Sequence, residues 1–222
     1  MDKWSRMMKK WKPWKGTIKL CILSTALFTV IIWIIWGNTA LMVNTVTVTA
    51  GRIPAAFSGF RIAQVSDLHN AEFGENNVRL LELLSESRPD IIVITGDLVD
   101  SGHTDIDIAI SFGEEAARIA PVYYVTGNHE ARLSQYDRLR NGLEAADVSM
   151  LEDRAMELER DGEKITLVGL SDPDFTVRSD IFGEVPAMVS TKLESLADTE
   201  SSYTILLSHR PELELLTNPL IS

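Results

Sequence analysis

Four short polar strings constrain this chain more than anything else in it, because each stands directly behind a run of β-branched and aliphatic residues. They are Asp67-Leu68-His69 after Phe60–Val65, Gly96-Asp97 after Ile91–Thr95, Gly127-Asn128-His129-Glu130 after Pro121–Val125, and Ser208-His209-Arg210-Pro211 after Tyr203–Leu207. A short apolar run that stops at a polar residue reads as a buried strand meeting its loop. Between the runs, apolar residues recur at helical spacing. Val78, Leu80, Leu81, Leu83 and Leu84 predict a helix over 76–88, and Ile106, Ile108, Ile110, Phe112, Ala116 and Ile119 another over 104–119. A third helix is expected over 134–147. Strand and helix alternate, so the fold class is α/β. The strings then fall at the carboxyl ends of strands, where such sheets collect their ligands.

Further elements are weaker. Residues 165–170 read as a strand, 189–196 as a helix, and 171–186, rich in Gly, Ser and Asp, as a loop. Residues 41–50 alternate β-branched and polar groups, which predicts a strand.

The N-terminal region differs in kind. Residues 20–36 carry no charge, and with Thr17, Ile18 and a snorkelling Lys19 the span reaches the length of a membrane-crossing helix. All five tryptophans, at 4, 11, 14, 33 and 36, flank or edge it, as in an interfacial aromatic belt. The apolar run is too long for a cleaved signal peptide, and Gly37-Asn38-Thr39-Ala40 is a poor cleavage site. The division expected is a basic cytoplasmic segment over 1–16, a transmembrane signal anchor over 17–37, and a catalytic domain over 41–222.

Charge supports that division. Seven of the 21 Lys/Arg lie within residues 1–19 against a single acid, leaving 14 basic and 31 acidic residues, a net of −17, for the rest. The positive-inside rule then puts the N-terminus in the cytoplasm and the rest outside it, at the cell membrane. A domain so acidic repels polyanions, so no nucleic-acid partner is expected. The single cysteine, Cys21, lies inside the apolar span, so no intrachain disulfide forms.

The strings hold three of the four histidines, together with carboxylate and amide oxygens. Asp67 and His69, two residues apart, would share one face of an extended chain. Gly96 allows a tight turn, and the two oxygens of Asp97 can bridge cations about 3.5–4 Å apart. Asn128 offers a carbonyl oxygen, His209 an imidazole, and His129 projects elsewhere as a candidate proton donor. Singly, each string has an ordinary reading as a turn, a loop or a hydrogen-bonded structural histidine. Their joint occurrence at four successive strand ends points to metal-assisted hydrolysis of a phosphate ester. Asp100 and Glu130 read as groups that orient ligands or cap helices, and His103 as a surface residue. Arg210 reads as a phosphate contact or a surface residue.

On these strings the chain resembles the calcineurin-like metallophosphoesterase superfamily, particularly its membrane-anchored bacterial branch, over about residues 55–212. The resemblance implies a four-layer α/β/β/α sandwich. It implies two divalent metal ions, with Asp67 and His69 on the first, Asp97 bridging, and Asn128 and His209 on the second. His129 would act on the leaving group while a hydroxide activated by the metal pair attacks phosphorus in line. Mixed carboxylate, amide and imidazole donors suit Mn, Fe or Zn better than Mg. The family's final Gly-His-x-His does not follow His209 in this sequence. The expectation is therefore a domain incomplete at its C-terminus, with a catalytically impaired, membrane-tethered binding relative as the alternative. A site tethered at a bilayer would meet a lipid-linked or cell-envelope phosphate ester.

Overall fold

The computed structural model describes residues 14–176, 184–196 and 203–210. The chain divides into two compact units, residues 1–44 and 45–222.

The first unit contains one helix, α1 (Trp14–Thr39). Its stretch Gly16–Ile34 is long and apolar enough to cross a membrane. The apolar side chains point outward all round: Leu20, Phe28 and Trp33 are each more than 60% exposed. A helix apolar on every face needs either a protein core or lipid around it, and none of this window is covered by protein. Within it the Thr29 hydroxyl donates to the Thr25 carbonyl at 2.9 Å, so this polar group is satisfied inside the helix. Residues 1–13, most of the expected basic segment, lie outside the described residues.

The second unit is layered. Strands β1 (Ile62–Val65), β2 (Ile91–Thr95), β3 (Val122–Val125) and β4 (Val148–Met150) form a parallel sheet in sequence order. Their connections include the helices α2 (Val78–Ser87), α3 (Ile106–Ala117), α4 (Asn128–Arg132) and α5 (Tyr136–Ala145). The second sheet holds β5 (Arg154–Arg160), β6 (Glu163–Gly169) and β7 (Thr204–Leu207), with β5 antiparallel and β7 parallel to β6. Helix α6 (Glu184–Leu196) precedes β7.

Alternation within the strands builds three cores. Ile92, Ile94, Val122 and Tyr124 face Leu84, Phe112, Leu139 and Leu143 of the helices. Ile91, Val93, Tyr123 and Val125 face Leu167 and Leu207 of the second sheet. Val168 and Leu170, on that sheet's far side, pack against Val189 and Leu193 of α6. The central strands are therefore buried on both faces, which is why β2 is continuously apolar. The order is helix, sheet, sheet, helix, as expected.

Three expectations need correction. Residues 41–50 form no strand: Met42 and Val46 are about four-fifths exposed, and alternation supplies propensity without a paired neighbour. Asp67 and His69 do not sit in extended backbone, since their φ angles are +55° and +48°. The expected loop 171–186 contains a short 3-10 turn at Pro173–Phe175, and α6 begins at Glu184. Residues 177–183 of that loop lie outside the described residues, as do Pro211 and the final Asn218–Ser222. Strand β5 was not foreseen, although Asp161-Gly162, both at positive φ, marks the two-residue hairpin joining it to β6. Strand β4, three residues long, was too short for its period to register.

Candidate metal centre

The loops after β1, β2 and β3 lie against one another by backbone contact. Asp67 N–H donates to the Gly96 carbonyl (3.1 Å), His69 N–H to that of Asp97 (2.9 Å) and Asn70 N–H to that of Leu98 (3.1 Å). The first loop thus rides on the second through the left-handed residues Asp67, His69 and Asn70, of the types most often found in that conformation besides glycine. Gly96 (φ +87°) and Gly127 meet next: a Cβ on Gly96 would lie 2.7 Å from Gly127 N and 2.8 Å from His209 Nδ1. A Cβ on Gly127 would overlap Asp97 Oδ1. Both glycines are required by close approach at the site itself.

Glu130 holds this junction. Its carboxylate is fully buried and accepts from Gly127 N–H (2.7 Å), Asp97 N–H (2.8 Å), Leu98 N–H (2.9 Å) and Val99 N–H (3.3 Å). Four amide donors replace the water that a buried carboxylate loses. As N3 of the short helix that begins at Asn128, Glu130 caps that helix, one of the two roles expected of it.

Asp97 is the centre. Its side chain is 4% exposed, Oδ1 accepts from His129 N–H at 2.9 Å, and Oδ2 faces three imidazoles. His69 Nε2 stands 3.5 Å from it, His209 Nε2 3.5 Å and His129 Nε2 4.0 Å. Asp67 Oδ1 lies 3.7 Å from His69 Nε2, and Asp67 Oδ2 accepts from the Ser66 hydroxyl. Two groups of donors suited to a cation share Asp97: one with His69 and His129, the other with Asp67 and His209. Asn128 joins the second corner, its Oδ1 3.2 Å from His209 Nε2. All six residues singled out in the sequence converge here.

The histidines differ in what their other nitrogen touches. His209 Nδ1 lies 3.0 Å from the Thr95 carbonyl and donates to it, so in the neutral ring Nε2 carries a bare lone pair. In that tautomer the lone pair faces the Asn128 carbonyl oxygen 3.2 Å away, two acceptors that a shared cation would satisfy. His129 is the reverse. Its Nδ1 accepts from Ser101 N–H at 3.0 Å, so in the neutral ring the proton sits on Nε2. The Asp100 carboxylate, 3.9 Å from the same Nδ1, is held below the usual carboxylate range, first by the Gly102 N–H. His103 is exposed in that loop, as expected.

Asn70 organises the loop behind His129. Its Oδ1 accepts from Asp100 N–H (3.0 Å) and Asp105 N–H (3.2 Å), and its amide donates to the Asp105 carbonyl (2.6 Å). Sequence reasoning missed this residue, and equally the partners of Arg210. Arg210 is neither a free phosphate contact nor a loose surface residue. Its guanidinium donates through Nε (2.7 Å) and Nη2 (2.9 Å) to Asp172, whose side chain is fully buried, and again to Asp174 (2.5 Å). The Asp172 hydrogen bonds, foremost, raise the guanidinium above its ordinary value. The string Ser171-Asp172-Pro173-Asp174 after the apolar run Ile165–Leu170 was the available signal.

Among the described residues, the ion-pair partners of Asp67 and Asp97 are imidazoles alone. Carboxylate, amide and imidazole donors gathered in this way are suited to divalent cations.

Comparison with known proteins agrees. A protein of Caenorhabditis elegans named as a metallophosphoesterase is 27% identical over 176 residues, covering 78% of this chain and 36% of its own length. A zebrafish protein named as a transmembrane protein with a metallophosphoesterase domain is 26% identical over 133 residues, 57% of this chain and 30% of that one. The chain thus spans well under half the length of these two relatives. The crystal structure of a phosphopantetheinyl hydrolase from Mycobacterium tuberculosis superposes with a TM-score of 0.50 at 21% identity, covering 73% of this chain and 72% of that one, a likeness of fold. The family model described as calcineurin-like phosphoesterase matches residues 60–217, and the chain belongs to that family.

Proposed function

We propose that this chain is a metal-dependent phosphohydrolase that cleaves a phosphate ester, a diester or a monoester, at a membrane surface. The observation that carries the reading is the convergence of Asp67, His69, His129 and His209 on the buried Asp97, with Asn128 Oδ1 3.2 Å from His209 Nε2. By the family's pattern Asp67 and His69 would hold the first of two divalent cations and Asn128 and His209 the second, with Asp97 shared; the donors' spacing also sets Asp67 beside His209. Mn, Fe or Zn fits these mixed donors. Bound there, the cations supply Lewis-acid charge and an activated water.

The chain's own residues do the rest. Asp97 is fixed by the His129 amide and by Glu130, so its oxygens need no reorganisation. His209 is turned by Thr95 so that its lone pair faces inward. His129 presents Nε2–H toward the centre, where it protonates the departing oxygen. Gly96 and Gly127 leave the volume that these groups converge on.

Helix α1 serves as an anchor over 17–37, with the basic residues 1–16 in the cytoplasm and the phosphoesterase domain outside it. Its apolar surface and the zebrafish relative's name support this reading. A lipid-linked or cell-envelope phosphate ester is then the substrate within reach.

The test uses the whole chain in detergent micelles with Mn²⁺ and bis(4-nitrophenyl) phosphate. Turnover that needs the metal and vanishes in Asp97→Ala is expected. Turnover that survives chelation or the Asp97→Ala change would sink the reading.

A further inference from the structure

His209 reaches the centre from a different sheet. Asp67, His69, Asp97, Asn128 and His129 all follow strands of the parallel sheet, whereas His209 follows β7 of the second sheet. Its distance to Asn128 and Asp97 therefore depends on how the two sheets are fixed at this end. Apolar contact between the sheets, through Val125, Leu167 and Leu207, has a non-directional driving force and does not by itself aim a side chain at the centre.

A polar clamp supplies the register. Asp172, just past β6, donates its N–H to Thr126 Oγ1 (3.1 Å), between β3 and Gly127. The same residue's buried carboxylate accepts both Nε and Nη2 of Arg210, the residue after His209. Asp174 takes a further Arg210 bond and, through its other oxygen, Arg132 of α4 (3.0 Å), the helix that begins with Asn128 and His129. One guanidinium thus ties the end of β7 to the end of β3 and to α4. A planar fork bound at two points fixes direction as well as distance, which an ammonium does not.

We propose that Arg210 is a positioning residue for His209: locked to Asp172, it holds the end of β7 so that His209 and Asn128 meet one cation together. This rests on the metal reading above. Breaking the clamp should weaken the corner that holds His209 and Asn128 selectively and leave the corner that holds His69 largely intact.

The test titrates Mn²⁺ into the whole chain in micelles, by calorimetry and electron paramagnetic resonance. The variants are Arg210→Lys, Arg210→Met, and the double change Arg210→Met with Asp172→Asn, which leaves no buried carboxylate stranded. Wild type is expected to bind two ions with a spin-coupled signal. In each variant one site should weaken about 10- to 100-fold, the scale for partners that orient a metal-binding histidine, and the coupled signal should fade. Thermal unfolding of the double variant reports whether the fold is kept. Equal weakening of both sites, or no change in either, would overturn the proposal. So would unchanged Mn²⁺ binding with weaker binding of inorganic phosphate, since Arg210 would then be an anion contact.

A metal-free readout separates this from the function itself. With [¹⁵N]histidine labelling, the His209 Nδ1–H bonded to Thr95 should be resolved in wild type and lost to exchange in the double variant. Identical His209 signals in both refute the clamp, whatever the metal result. A wild type that binds no Mn²⁺ refutes the metal reading, while the histidine comparison still decides the clamp.

Discussion

His129 and His209 approach the same oxygen of Asp97 in opposite neutral tautomers, one with its proton on Nε2 and one with it on Nδ1. The difference lies one bond away, in a Ser101 amide for the first and a Thr95 carbonyl for the second. His129→Gln should therefore leave Mn²⁺ binding unchanged by calorimetry. It should lower kcat on diphenyl phosphate, whose leaving group is a strong base, by about 10²–10⁴-fold. The loss should be smaller with bis(4-nitrophenyl) phosphate, which needs less protonation. His209→Ala should instead remove one Mn²⁺. Glu130 supports both loops, and Glu130→Gln would aim an NH₂ group at backbone N–H donors. Loss of two charge-assisted bonds predicts about 3–5 kcal/mol less stability in urea unfolding. The identities of these residues were legible because carboxylates and imidazoles at strand ends have few structural uses in combination. Their backbone was not: the rule that residues two apart share a face assumes extended chain, whereas Asp67 and His69 turn left-handed to follow Gly96 and Asp97.

At the scale of elements, α3 and α5 cross closely through two glycines. A Cβ on Gly142 would overlap Ile110, and one on Gly113 would lie 2.7 Å from Leu143 Cδ2. Two effects compete in Gly142→Ala. Helix propensity favours alanine by about 1 kcal/mol, whereas overpacking costs about 1–3 kcal/mol. Because the overlap involves branched Ile110 held between helices, overpacking should win, and denaturant unfolding should show a net loss of about 1–2 kcal/mol. A gain in stability would show that Ile110 can move aside. Periodicity could find α3 because Ile106, Phe112 and Ala116, three of the six positions read from the sequence, lie on its buried face. It could not show that the helix closes on α5, since glycine carries no apolar signal. The same limit explains residues 41–50, where alternation promised a strand: pairing is a property of two segments, and a propensity reads only one.

Across the whole molecule, the two units are built for different solvents. The described residues from 57 onward bury most of their apolar groups in three cores, while α1 exposes its own on every side. Gly16–Ile34 contains ten Leu, Ile, Val and Phe residues, and at about 0.3–0.6 kcal/mol each their insertion yields about 3–6 kcal/mol. Lys19, within a turn of the span's start, reaches the interface along its stem at little cost. Insertion should therefore outweigh surface attraction by the basic tail, which salt would screen. The chain should stay in the membrane pellet through high salt and alkaline carbonate, and leave only with detergent. Release by salt would mean that charge alone holds it. Orientation follows from the same asymmetry of basic residues and has its own reporter. Cys21 is the only cysteine and lies within the span, so Glu159→Cys, on exposed β5, would be the single accessible thiol of the phosphoesterase domain. A membrane-impermeant maleimide should label that variant in intact cells. Labelling only after lysis would put the domain in the cytoplasm and exclude envelope esters as substrates.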